Sequence, residues 1–500
     1  MRYIRQLADV RFAVLVALLA ACFLMGGASR LDVTSLVFLQ PFAAICTVAF
    51  LLIPGPQNWS VVRIPLLLLA ALAGLMVAQL VPLPSFIWAN LPGHAAFAQS
   101  SDAVGLRQPW RPMSLAPDLT LASLVGLILP LAVLLGFAGI NNHQRRSLLT
   151  VLIAGSAVSA MFGLAQVSGG MQSPFYLYRI TNFGSAVGLF SNRNHQAVLI
   201  AMTWPMLAAW AMVPHRDARR RVAGRWMATG FALFLLPLLL VTGSRAGLGL
   251  GILALAAAAL VWRRPQEGER RAPRRFERFV VPSLVIVGAT VLLSTIYLSR
   301  AEAIQRLLKL SVGEDTRLEA TPLLVEMVRD FFPLGAGFGA FDPIFRYYEP
   351  TELLDTKYLN HAHNDVFELA ISAGLPGIAL VLVFLVWFVR QAMRAWKTSP
   401  VSFDTSLARV AFFMILFVLA SSVVDYPLRT PLMMAIFAVA CGWLSSSAGH
   451  PTDDAPEFAA SKRFTDKRFP TSSLAPKHMH AYLPTPVSQV ICKADNQVSP

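Results

Sequence analysis

Charge is scarce in this chain. Asp, Glu, Lys and Arg make up 14% of its 500 residues, against about a quarter in an ordinary soluble protein. A water-soluble particle of this size could not cover its surface with so few charges. Cysteine is scarce too: the four present are too few for a disulfide framework. Cys22, Cys46 and Cys441 fall inside apolar runs and Cys492 lies near the C-terminus, so no structural disulfide is expected. With 56% hydrophobic residues, disordered and collagen-like chains are excluded as well. Apolar runs such as Phe12–Met25, Ile64–Leu80 and Val280–Leu298 instead approach the roughly 20 residues that cross a bilayer. The chain reads as an all-α polytopic integral membrane protein.

Arg2, Arg5 and Arg11 before an apolar stretch ending in small residues resemble a secretory signal. Many further spans follow, so the stretch reads as an uncleaved first helix. Twelve spans are expected, at about 12–29, 33–53, 64–82, 119–139, 148–168, 189–213, 227–242, 246–262, 279–299, 365–389, 409–424 and 430–446. Basic residues test this layout, because Lys and Arg gather in cytoplasmic loops. Of the 42 Lys and Arg, 28 fall on the side that holds both termini, with 11 of the 27 acidic residues. Both termini are therefore expected in the cytoplasm of a multi-pass inner-membrane protein. The same asymmetry explains the net charge of +15 without nucleic acid as a partner, since HRDARRR and RRPQEGERRAPRRFER lie where positive-inside charges belong.

Two outer loops are long, about 83–118 and 300–363, the second between spans nine and ten, and loops of that length are usually functional. Within the second, Glu319–Arg329 has a helical pattern with Leu323, Leu324, Met327 and Val328 on one face. A short helix along the membrane surface is expected there. Residues 1–446 form the transmembrane domain, and 447–500, polar and rich in Ser, Pro and Lys, read as a disordered cytoplasmic tail. No internal repeat is visible.

Ionisable groups inside or at the rim of spans are costly unless they face a cavity or a partner. Here they cluster on the outer side: Arg193 in SNRNHQ, Arg245 in TGSRAG, Arg317 in EDTRLE, His363 with Asp365 and Glu368, and Asp425 with Arg429 in DYPLRTP. Each arginine alone could be a snorkelling side chain or half of a salt bridge. Their convergence points to a clamp for a pyrophosphate, where guanidinium groups neutralise charge developing on a leaving group without a metal. His361, His363 and Asp365 begin an HxHxDH zinc pattern, but Val366 stands at its closing position and an apolar span follows at once. His363 reads instead as a general base that takes a proton from a sugar hydroxyl, with a hydrogen-bonded interface histidine as the plainer alternative. GAGFGAF, Gly335–Phe341, lacks the spacing of a dinucleotide loop and reads as a flexible or tight turn.

His363-Asn364, nine intervening residues and Gly374-Leu-Pro-Gly377 match an H-[NSQ]-x9-G-x-x-G pattern. The chain thereby resembles the superfamily of O-antigen ligases, O-antigen polymerases and bacterial protein O-oligosaccharyltransferases. QLVPLPSFIW, WRPMSLAPD, GLFSNRNHQAVLIAM, TGSRAGLGLG, DTRLEATPLLVEMVRDFFPLGAGFGAF and SSVVDYPLRTP extend the resemblance over about residues 79–431. It implies a glycosyltransferase that takes a glycan from undecaprenyl pyrophosphate to an acceptor hydroxyl at the periplasmic face, with neither nucleotide sugar nor essential metal or other cofactor. His363 is then the catalytic residue, and Arg193, Arg245, Arg317, Arg429 and the motif's Asn364 bind substrate. Ligase, polymerase and protein-glycosylation acceptors (lipid A core, a second lipid-linked glycan, Ser or Thr) all remain open. The competing class is a non-enzymatic polysaccharide transporter or flippase, which arginine-lined cavities would also serve. In the motif itself, Gly374 and Gly377 allow close helix packing, or a kink at Pro376, that would hold the top of span ten against its neighbours.

Overall fold

The computed structural model describes residues 2–103, 105, 109–213, 217–262, 320–351, 359–398 and 402–446. The expected ninth span, the tail from 447, Arg317 and parts of the large loop lie outside these residues. The principal helices are α1 (Arg2–Met25), α2 (Leu36–Leu52), α3 (Arg63–Leu80), α4 (Pro117–Gly126), α5 (Ile128–Ala138), α6 (Asn142–Ser168) and α7 (Arg193–Trp210). They continue with α8 (Ala218–Thr242), α9 (Arg245–Val261), α10 (Thr321–Phe331), α11 (Phe341–Tyr348), α12 (Asp365–Lys397), α13 (Phe403–Ser422) and α14 (Pro431–Ser446). The other eleven expected spans all fall on described helices. Among the described residues, seven helical segments are long and apolar enough to cross a membrane, counting α4 and α5 as one, and α2, α9 and α14 are shorter apolar helices. The protein is an all-α polytopic membrane protein.

Helix α7 meets neither description, because Arg193, Asn194, His195 and Gln196 open it. It is nevertheless deeply buried: every residue from His195 to Ala209 is buried, packed among α6, α8, α9 and α13. A helix sheathed by other helices does not face lipid, so its polar first turn is tolerated inside the bundle.

The apolar face predicted over 319–329 is real, and it packs against protein. Leu324, Met327 and Phe331 of α10 are buried with Phe341, Ile344 and Phe345 of α11 and Ile371 of α12. The amphipathic helix thus buries its apolar face on neighbouring helices. A two-residue antiparallel pairing, Pro82–Leu83 with Arg111–Pro112, closes the base of the first long loop.

Helix α12 is broken at the glycine motif. Gly374 adopts φ 54° and ψ −143°, a region open to glycine alone, and a Cβ there would collide with the Pro333 carbonyl oxygen. The break frees the Ile371 carbonyl, and Pro376 has no N–H to offer Ser372. Both carbonyls are satisfied from outside: Ala336 N donates to Ile371 O at 2.8 Å, and Gly337 N to Ser372 O at 2.9 Å. Gln79 Nε2 also donates to Ser372 O, while its Oε1 accepts from Phe338 N. The Gly-rich loop 335–341 is therefore the hydrogen-bonding complement of the kink rather than a flexible turn. Its close approach needs Gly335, whose added Cβ would lie 2.6 Å from the Ser372 backbone. Gly374→Ala should then cost about 1–3 kcal/mol from backbone strain alone, read as a lowered Tm of the purified protein. Gly74→Ala, with open space around it, is the matched control, and equal Tm values for the two would refute this account.

Candidate functional site

The break in α12 sets its first turns, Asp365–Ala373, apart from the apolar remainder. Asn364 starts the helix by accepting hydrogen bonds from Val366 N at 2.9 Å and Phe367 N at 3.2 Å, an N-cap that leaves its Nδ2 as the group still able to donate. His363 stands immediately before this cap with φ 49°, the one non-glycine residue with positive φ among the described residues. Such a conformation costs an L-residue roughly 1–2 kcal/mol, so the surroundings must hold it.

Its imidazole Nδ1 lies 3.3 Å from Asp425 Oδ1, a carboxylate with no solvent exposure. Asp425 also accepts from Tyr426 N at 3.0 Å, from Asn192 Nδ2 at 3.0 Å and from Asn194 Nδ2 at 2.6 Å. Ionised, it can only accept, so Nδ1 carries the hydrogen and Nε2 is left with the basic lone pair. Both asparagines are held in turn by the start of α7, where Asn192 caps the helix by accepting from Asn194 N at 2.9 Å.

A second histidine is wired in the same way. His361 Nδ1 faces Glu368 Oε1 at 2.9 Å, and Glu368 Oε2 accepts from Ala362 N at 3.0 Å. Arg429 reaches the same carboxylate at 3.2 Å and Asp365 at 3.5 Å, while Ser422 Oγ donates to Asp365 at 2.8 Å. Burial works against the Arg429 charge, but Glu368 and Asp365 outweigh it and raise its pKa above the usual arginine value. The ring of Tyr426 sits beside both histidines, with centroids 4.4 Å from His361 and 4.8 Å from His363. His361, His363 and Asp365 thus turn to three different partners and do not converge as the zinc pattern would require. Among the described residues no group of three His, Cys, Asp or Glu is arranged to hold a metal ion.

Arg193, Arg245 and Arg429 lie at the same end of the bundle. Gly243, at φ 63°, closes α8 in the left-handed conformation, and Ser244 caps α9 by accepting from Gly247 N at 2.9 Å, so Arg245 is the first residue of α9. Arg193 lies against that turn, its Nη1 3.7 Å from where a Gly243 Cβ would stand. Arg193 is also flanked by the two asparagines that grip Asp425. The structure therefore brings Arg193, the Arg245 turn, His363, Asn364 and Arg429 into one neighbourhood, with Arg317 outside the described residues.

A histidine whose Nε2 keeps its lone pair, at the same end of the bundle as several guanidinium groups, can remove a proton from an attacking hydroxyl while positive charge receives an anionic leaving group. Residues 230–382 match the family model for O-antigen ligase. Over that segment the chain is similar to the O-antigen ligases. A comparison with curated proteins gave no match. The matched segment runs from within α8 to within α12 and holds Arg245, His363, Asn364 and the Gly374 motif. It supports membrane glycosyltransferase activity of the ligase or polymerase type. Asn192, Arg193, Asn194, Asp425 and Arg429 lie outside that segment, yet they complete the surroundings of its histidine.

The partnership of Asn192 and Asn194 with Asp425, and the central place of Tyr426, were not legible as function. One signal was present: two asparagines around an arginine at the opening of an apolar helix place three polar side chains where lipid-facing residues would be apolar.

Proposed function

We propose that this O-antigen ligase-like protein transfers a glycan from undecaprenyl pyrophosphate to an acceptor hydroxyl at the periplasmic face of the inner membrane. The observation that carries the reading is the His363–Asp425 pair at 3.3 Å. It leaves Nε2 of a partly buried imidazole with the lone pair of a proton acceptor. Nε2 takes the acceptor proton as the hydroxyl oxygen bonds to the anomeric carbon. The bond from that carbon to the pyrophosphate oxygen breaks with inversion, and its electron pair leaves on the phosphate. Arg193 and Arg245 neutralise the departing charge, Asn364 Nδ2 contributes a donor, and Arg317 joins this group on the strength of its sequence context. The charge asymmetry of the loops supports cytoplasmic termini and a periplasmic site.

The decisive experiment is transfer by purified protein in liposomes carrying an undecaprenyl-pyrophosphate glycan and an acceptor glycan. Product and free undecaprenyl pyrophosphate should form in equal amounts, and excess EDTA should leave the rate unchanged. Movement of the donor across the bilayer without transfer would make the protein a transporter. Activity lost in EDTA and restored by Mg²⁺ or Mn²⁺ would overturn the arginine-based account.

A further inference from the structure

Two acidic side chains serve the histidine segment, and they do so differently. Asp425 contacts the imidazole of His363, whereas Glu368 contacts the chain that carries it. Glu368 is 1% exposed and receives three groups: His361 Nδ1 at 2.9 Å, Ala362 N at 3.0 Å and Arg429 at 3.2 Å. His361 and Ala362 are the two residues immediately before His363. On the other side, Asn364 is fixed by its cap onto Val366 N and Phe367 N. The segment is pinned at both ends, and His363, with φ 49°, is the residue left to bridge them.

Arg429 supplies the other half of the arrangement. It belongs to the same short turn between α13 and α14 as Asp425, four residues away. By binding Glu368 it ties the turn bearing the carboxylate to the segment bearing the base. The His363–Asp425 separation of 3.3 Å is at the long end for a hydrogen bond, so a small slackening between the two would break it.

We infer that Glu368 and Arg429 are positioning residues for the general base, with Arg429 acting through Glu368 rather than on the pyrophosphate. The inference rests on the reading of His363 as that base. Glu368→Gln keeps the size of the side chain, and its amide oxygen can still accept from Ala362 N. It loses the charge that holds Arg429 and places an N–H₂ group against both His361 and Arg429. In the liposome assay, Glu368→Gln should lower kcat by about 10- to 100-fold, with the donor KM within about twofold of wild type. Arg429→Gln should give the same split, and the double variant should be no slower than the worse single one, because both changes break one link. A pyrophosphate contact predicts the opposite: Arg429→Gln raises the donor KM, and its effect multiplies with that of Glu368→Gln. Should Glu368→Gln fail to accumulate, Arg429→Lys, which keeps charge but not the planar fork, is measured for the same split. His363→Ala separates the two levels. If it transfers at wild-type rate, the general-base reading falls; if it is inactive while Glu368→Gln keeps wild-type kcat, only the positioning role falls.

Discussion

His363→Ala is expected to lower the rate of glycan transfer by about 10²–10⁴-fold, the contribution of a positioned general base. The variant should fold, because Asp425 keeps its donors from Asn192, Asn194 and Tyr426 N and no buried charge is stranded. His363→Gly provides a second arm: it removes the imidazole and also relieves the left-handed strain at φ 49°. Loss of a catalytic group predicts that both variants are equally slow, with the glycine form at least as stable by Tm. In cells, lipid-linked donor should reach the periplasmic leaflet and accumulate there. Transfer near the wild-type rate by both well-folded variants would place the base elsewhere, and donor stranded in the cytoplasmic leaflet would favour a transporter.

The spans were legible because a run of apolar residues near bilayer length leaves few alternatives. The helix opened by Arg193 shows the limit of that logic: its polar start is explained by burial among four other helices, which depends on tertiary packing. The same limit applies to α10, whose apolar face is readable from periodicity while the surface it meets is not. Leu324 and Met327 bury against protein, and the sequence pattern for a membrane-surface helix would be the same. His363, Arg193 and Arg245 could be picked out because polar groups at span ends stand out against an apolar background. Their wiring could not. The contact between His363 and Asp425 joins residues 62 positions apart, and Asn194 meets Asp425 across 231. Likewise the glycine motif predicts a kink, but not that loop 335–341 supplies the missing hydrogen-bond donors. Local chemistry announces that a group is unusual; only the fold says which group answers it.

Asp425→Asn should also lower transfer by about 10²–10⁴-fold, for a reason distinct from loss of the base. The carboxylate accepts on both oxygens, from two asparagine amides on Oδ2, and from Tyr426 N with His363 Nδ1 on Oδ1. An amide has one acceptor end and one donor end, so either orientation sets an N–H₂ group against donors. If the oxygen stays with Asn192 and Asn194, the N–H₂ faces His363 and makes Nδ1 the acceptor, which moves the ring hydrogen onto Nε2 and removes the basic lone pair. If it turns the other way, the N–H₂ meets the asparagine amides, at a cost of about 1–3 kcal/mol for each buried group left unsatisfied. Stability and rate should therefore both fall, and the two effects can be separated. Rate per folded molecule, with the folded fraction taken from Tm and yield, should still fall by at least about 100-fold, and the donor KM should change little. Combining Asp425→Asn with His363→Ala should give no further loss beyond His363→Ala alone, since the carboxylate acts through the imidazole. A purely structural Asp425 predicts the reverse, with normal turnover in whatever fraction folds and a double variant slower than either single one.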